Sequence, residues 1–204
     1  YSTGTEVHAV QFAPMSPKDE SIVISGVGLI TCFGVGIEPL WKAMLEGRTG
    51  LHRIERFDPS GFTCQVAGEL DEDSFKVKNI VPKSHRKATK VMCRDTELAV
   101  GAAADAVQSA GLTTAATSDD PPTIEPTSVG CHIGAGLISA ELNELSGALV
   151  TSQKENGSFD LAHWGSEGMQ NLSPLWLLKY LPNMLACHVT IVHNCQGPSN
   201  TITC

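Results

Sequence analysis

Several kinds of signal are missing from this sequence, and each absence removes a class of function. Basic residues are outnumbered, 14 Lys and Arg against 22 Asp and Glu, which leaves a formal charge of −8. A nucleic-acid binder would need a clustered basic face, so that class is set aside. No apolar run reaches the roughly 20 residues a membrane span requires. The seven cysteines are odd in number and scattered, with no C-x-x-C pair. That spacing gives neither a zinc site nor a disulfide framework, and a reducing, cytoplasmic setting is expected. There is no H-E-x-x-H, no G-x-S-x-G elbow and no Gly-Lys-Ser/Thr phosphate cradle. No metal and no cofactor are therefore expected.

Hydrophobic residues make up 42% and charged residues 18% of the chain, a globular composition with ample material for a core. Residues 1–20 mix Pro14, Pro17, Ser and Thr without periodicity and read as an irregular leader before a domain over 21–204. The chain begins on Tyr1 and is read as part of a longer polypeptide. Residues 21–30, Ser-Ile-Val-Ile-Ser-Gly-Val-Gly-Leu-Ile, predict a buried central strand running into a tight loop. Leu40, Trp41, Met44 and Leu45 sit at helical spacing ahead of Gly47. Phe57 to Phe62 is a turn, and Cys64 to Leu70 alternates like an edge strand. Alanines at 99, 102, 103, 106 and 110 give an alanine-rich helix over 91–110, closed by Gly111.

The stretch 113–128 is predicted to be too polar to pack. Val129 to Gly136 reads as a second buried strand ending in a Gly-x-Gly loop, followed by a helix over 139–150. A short helix over 174–180 precedes an apolar terminal segment, and an alternating strand runs into Cys204. Strands alternating with helices predict an α/β fold with a largely parallel sheet.

Few residues stand out for chemistry. Gly26-Val27-Gly28 lacks the helix start and following acid of a dinucleotide fingerprint. His188, in an apolar segment, is expected to be a hydrogen-bonded structural residue. The basic run from Lys83 to Lys90 suits a solvated helix start or a surface that docks an acidic partner. A strand delivering a thiol to a helix start would build an acyl-transfer nucleophile, which draws attention to Cys204.

Taken in order, Ile22 to Thr31, Trp41 to Gly50, Phe57 to Phe62, Gly134-Ala135-Gly136, Ser173-Pro174, Pro182 to Ile191 and Gly197-Pro198-Ser199 resemble a known family. They look like the N-terminal half of a β-ketoacyl-acyl carrier protein synthase, with interruptions at 113–128 and 152–170. The resemblance implies a thiolase-like αβαβα layered fold, of which this chain supplies most of the first of two similar halves. It also implies decarboxylative condensation of an acyl chain with a malonyl thioester, with acyl carrier protein thioesters as partners. The expected assembly is a homodimer, or a heterodimer with a related subunit. Neither nucleic acid nor membrane is expected as a partner.

The family pattern G-P-S-x-x-x-x-T-A-C, counted from Gly197, puts Cys204 at the Thr position and the nucleophile two positions beyond it. No catalytic residue is therefore expected within the chain, and the family's paired histidines belong to the second half. Leu137 matches a residue that gates the acyl pocket, and Trp176 an aromatic that lines that pocket, coming from the partner subunit. Asn194 stands where many relatives have Gly. Two other functions fit the resemblance: a non-catalytic or decarboxylase-only partner subunit of chain-length-factor type, and a thiolase proper using coenzyme A.

Overall fold

The computed structural model describes residues 21–136 and 138–203. The leader expected over 1–20, Leu137 and Cys204 lie outside the described residues.

The centre of the molecule is α6, Met184–His193, the most buried of its elements. One side of it packs on α2, Arg94–Ser109. The other packs on a parallel ribbon of β5, Cys131–Gly134, and β6, Ser199–Ile202. Val100 of α2, Val189 and Val192 of α6, and Cys131 of β5 share one core with Phe75, Val77, Val81 and Met92. The sequence of α6 does not read as an amphipathic helix because it is apolar on nearly every face. Such a helix is stable only where layers cover it on more than one side.

The alanine stripe of α2 has a specific partner. A side chain at Gly26 would collide with the backbone at Ala106 and Ala110, and one at Gly28 with the backbone at Ala102 and Ala106. The arm 21–29 thus lies directly on the helix, with Val27 N donating to Ser109 Oγ at 3.3 Å and Leu29 N to Asp105 Oδ2 at 3.0 Å. This corrects the expectation of a buried central strand. Only β1, Ile30–Thr31, is paired, antiparallel to β2, Gly34–Val35, while Ile22, Val23 and Ile24 are 103%, 73% and 87% exposed. The helix satisfies two backbone N–H groups of the arm, and among the described residues no neighbouring strand flanks it.

Helix α1, Ile37–Leu45, ends at Gly47 with φ 62°, as its periodicity predicts. The turn at 57–62 joins the hairpin of β3, His52–Arg53, and β4, Val66–Ala67, shorter than the edge strand expected. Helix α2 begins three residues later than expected, after a 3-10 turn at Ala88–Val91, and Gly111 (φ 65°) closes it. The stretch 113–128 is more ordered than its composition implies, because Ala116 packs against the core and Thr114 reaches His193. Helices α3, Leu142–Thr151, and α4, Leu161–Ser166, form a satellite layer. Asp160 caps α4, accepting from Ala162 N and His163 N. Helix α5, Trp176–Lys179, is one turn long. Among the described residues no helix is long and apolar enough to cross a membrane.

Candidate active site

In an α/β sheet, ligands gather at the carboxyl ends of parallel strands, where loops leave the sheet together. Here that place is the end of the β5–β6 ribbon. The register pairs Gly134 with Ile202, and Ala135 N donates to Ile202 O at 2.9 Å, so the ladder continues one residue past β5. The loop Gly134-Ala135-Gly136 therefore starts beside the strand that leads to Cys204. A Cβ at Gly134 or Gly136 would meet nothing within 4 Å, so no neighbour among the described residues requires glycine there. The loop backbone is open to a close approach from outside.

The far end of the same loop is clamped. Glu141 N donates to Tyr180 Oη at 3.2 Å, and Tyr180 Oη donates to Glu144 Oε2 at 2.8 Å. Lys179 forms a short ion pair with the other oxygen of Glu144. The Lys179 hydrogen bond holds the Glu144 carboxyl below the usual range, and burial above all pushes the Tyr180 phenol up to about 12. Glu144 is a carboxylate and Tyr180 a neutral donor at physiological pH. Sequence reasoning missed this clamp, since its members stand 35 and 36 residues apart and form no local pattern.

Trp176 sits on the clamped helix, its ring 5.4 Å from that of Tyr180 and its indole Nε1 buried without a partner among the described residues. The structure thus brings Trp176 to the helix that holds the distal end of the loop, while the Gly-x-Gly end meets β6. Leu137 and Cys204 are outside the described residues.

Other candidates resolve as structure. Burial pushes up the thiol pKa of both Cys131 and Cys195, which leaves them protonated and poorly nucleophilic. Of the six described cysteines only Cys93 and Cys131 are buried, fewer than their apolar character implies. His188 is 4% exposed, yet neither ring nitrogen has a partner among the described residues, so the expected hydrogen bonding is absent there. Burial lowers its pKa and keeps the ring neutral. Lys83, Arg86, Lys87 and Lys90 are exposed along two successive 3-10 turns, of which the second, Ala88–Val91, packs against α5, and none is in an ion pair among the described residues. No cluster of His, Cys, Asp and Glu among the described residues could hold a metal ion. Asn194 adopts φ 56°, ψ 42° at the end of α6, a left-handed conformation that favours glycine and that asparagine tolerates.

The family model "Beta-ketoacyl synthase, N-terminal domain" matches residues 19–204. The granaticin polyketide β-ketoacyl synthase 1 of Streptomyces violaceoruber is 28% identical over 182 residues, 89% of this chain and 38% of that protein. The 3-oxoacyl-[acyl-carrier-protein] synthase 2 of Staphylococcus aureus is 26% identical over 189 residues, 91% of this chain and 39% of that protein. Among solved structures, the ishigamide ketosynthase/chain length factor has a TM-score of 0.60 at 24% identity, covering 89% of this chain and 39% of its own. The chain spans less than two fifths of the length of the relatives it matches. Strand-end geometry and family match agree: the chain belongs to the β-ketoacyl synthase family, over its N-terminal domain, and has the α/β architecture of the thiolase-like fold.

Proposed function

We propose that the polypeptide containing this chain is a condensing acyltransferase that elongates an acyl chain in fatty-acid or polyketide synthesis. The observation that carries this reading is the parallel ribbon whose carboxyl end sets the open Gly134–Gly136 loop beside the strand leading to Cys204, in a chain of this family. The nucleophile slot lies two positions beyond Cys204, and the cysteine expected there supplies it. Its thiolate attacks the carbonyl of an acyl thioester, and the carrier thiol leaves with the proton. A malonyl thioester then loses carbon dioxide, its enolate carbon bonds to the acyl carbonyl, and the enzyme thiolate is released. Leu137 gates the acyl pocket, Trp176 lines that of the partner subunit, and the domain runs from residue 21 onward.

The substrates arrive on acyl carrier protein, the carrier named for the Staphylococcus aureus relative. The unpaired cations Lys83, Arg86, Lys87 and Lys90, on the segment whose second 3-10 turn packs against the helix of Trp176, offer an acidic carrier a docking surface. The active form is a homodimer.

Incubation of the full polypeptide with an acyl carrier protein thioester tests this reading directly. Mass spectrometry should find one acyl adduct on the cysteine two positions beyond Cys204. A protein without that adduct that also fails to condense malonyl thioester would end the proposal. Arg86→Glu with Lys87→Glu should raise KM for the carrier, with kcat nearly unchanged and the difference shrinking at high salt. A second reading, a partner subunit of chain-length-factor type, is favoured by the likeness to the ishigamide ketosynthase/chain length factor. It predicts obligate co-purification with a related subunit, and a homodimer that elongates unaided would eliminate it.

A further inference from the structure

A cavity of about 460 Å³ opens at the other end of the ribbon, around Val129, Gly130 and Cys131 at the start of β5. Its cover is the stretch 113–128, and neither the Gly134–Gly136 loop nor the Glu144, Lys179 and Tyr180 clamp lines it, so the cavity is separate from the site described above. Ala106, Val107, Leu112, Ile124, Val129 and Val189 give it mainly apolar walls, and among the described residues no lysine or arginine lines it. Its volume and lining are those of a small-molecule pocket, which needs a few placed polar groups to orient a ligand.

One such group is there. His193 lines the cavity, is 4% exposed, and has an Nε2 without a partner among the described residues. Its other nitrogen, Nδ1, lies 2.8 Å from Thr114 Oγ1. Thr114 is itself fixed, its N–H donating to Thr117 Oγ1 at 2.8 Å and its Oγ1 accepting from Ala116 N at 3.3 Å. The Thr114 hydroxyl can donate to Nδ1, and in that tautomer the neutral ring carries its own proton on Nε2, free to donate into the cavity. An unmatched buried donor beside an apolar cavity favours any apolar molecule that brings an acceptor. Asp119 and Asp120 also line the cavity, and with no cation among the lining residues they disfavour acids.

We propose that this cavity binds a small neutral carbonyl compound with an aliphatic body, its oxygen accepting a hydrogen bond from His193 Nε2–H. The site is independent of the condensing reaction, and its test needs no turnover. The full polypeptide, labelled with 15N-histidine, is titrated with 2-heptanone, and with heptanoate and heptylamine as the acid and the base of similar length. Binding is read by calorimetry and by the side-chain resonance of His193. The expected result is saturable binding of 2-heptanone with a shifted His193 Nε2–H resonance, and binding of heptanoate at least tenfold weaker. Val107→Trp, which fills the cavity from α2, should abolish the binding. His193→Phe should weaken it about tenfold, the scale of one buried hydrogen bond. Equal binding of heptanoate would overturn the proposal. So would no binding of 2-heptanone, or a His193 resonance unmoved at saturation in the unsubstituted protein.

Discussion

Two apolar runs of this chain meet opposite fates. The run Ile22-Val23-Ile24 stands exposed, whereas α6 buries Leu185, Ala186, Val189 and Val192, the last at 1% exposure. Hydrophobicity does not separate them, because both are rich in Val and Ile. What differs is the number of covering layers. Helix α6 satisfies its own backbone and is covered by α2 on one side and the ribbon on the other. The arm 21–29 is extended, has one helix against it, and needs flanking strands for its remaining backbone groups. A helix can be buried by whatever packs on it, but a strand also needs neighbours in its own sheet.

The sharpest way to break this comparison is a buried charge in each run, measured by urea unfolding of the full polypeptide. Val192→Asp should cost about 4 kcal/mol or more, because its carboxylate would have no partner in the core. If the rest of the family's length completes the sheet beside the arm, Ile24→Asp should cost a similar amount. A cost of about 0.5 kcal/mol, typical of a surface position, would show that the arm stays exposed in the whole protein. The glycines sharpen the same point. Gly28→Val would push its side chain into the α2 backbone and should cost about 3 kcal/mol, with the loss appearing as a lowered unfolding midpoint.

The two runs also show what could be read from the sequence. Helices α1 and α2, the turn at 57–62 and the strand β5 were legible, since a local period or a terminal glycine marks each of them, but β5 is not the buried strand expected: only Cys131 is buried, while His132 and Gly134 are exposed. The end of the ribbon was legible through Gly134-Ala135-Gly136 and Gly197-Pro198-Ser199. The helical state of α6 was not, because apolar residues on all faces erase the 3.6-residue period. Nor was the Glu144, Lys179 and Tyr180 clamp, or the pairing of Thr114 with His193 across 79 residues. Those contacts exist only after the layers have assembled, and composition made 113–128 look merely polar.

Helix α6 also carries a pH dependence that the exposed arm lacks. His188 and His193 are buried, and burial lowers both pKa values from the ordinary 6.5. The folded state then binds fewer protons than the unfolded state, so stability is complete above pH 6.5 and falls as the pH drops below it. The limiting slope is about 1.4 kcal/mol per pH unit for each histidine, until the folded rings themselves protonate. Unfolding midpoints measured between pH 7.5 and 5 should show this decline. His188→Leu should remove about half of it.

The smallest effect lies at the end of α6, where the helix turns back into the ribbon. Asn194 is the only described non-glycine residue with positive φ, at 56°, and Cys195 N donates to Thr190 O across it at 2.9 Å. That left-handed geometry lets the chain leave the helix and reach Gly197, whose N–H donates to Val129 O at 2.9 Å beside β5. Asparagine tolerates this conformation because its short polar side chain bonds locally, here accepting from Gln196 Nε2 at 2.9 Å. Alanine has neither that bond nor glycine's freedom, so Asn194→Ala should cost about 1 kcal/mol. Asn194→Gly should be neutral to slightly stabilising, since it removes the Cβ strain while giving up only an exposed side-chain bond. The pair of substitutions separates backbone strain from the lost side-chain bond: equal losses in both would assign the effect to the bond with Gln196, and a loss confined to alanine would assign it to the turn that joins helix to ribbon.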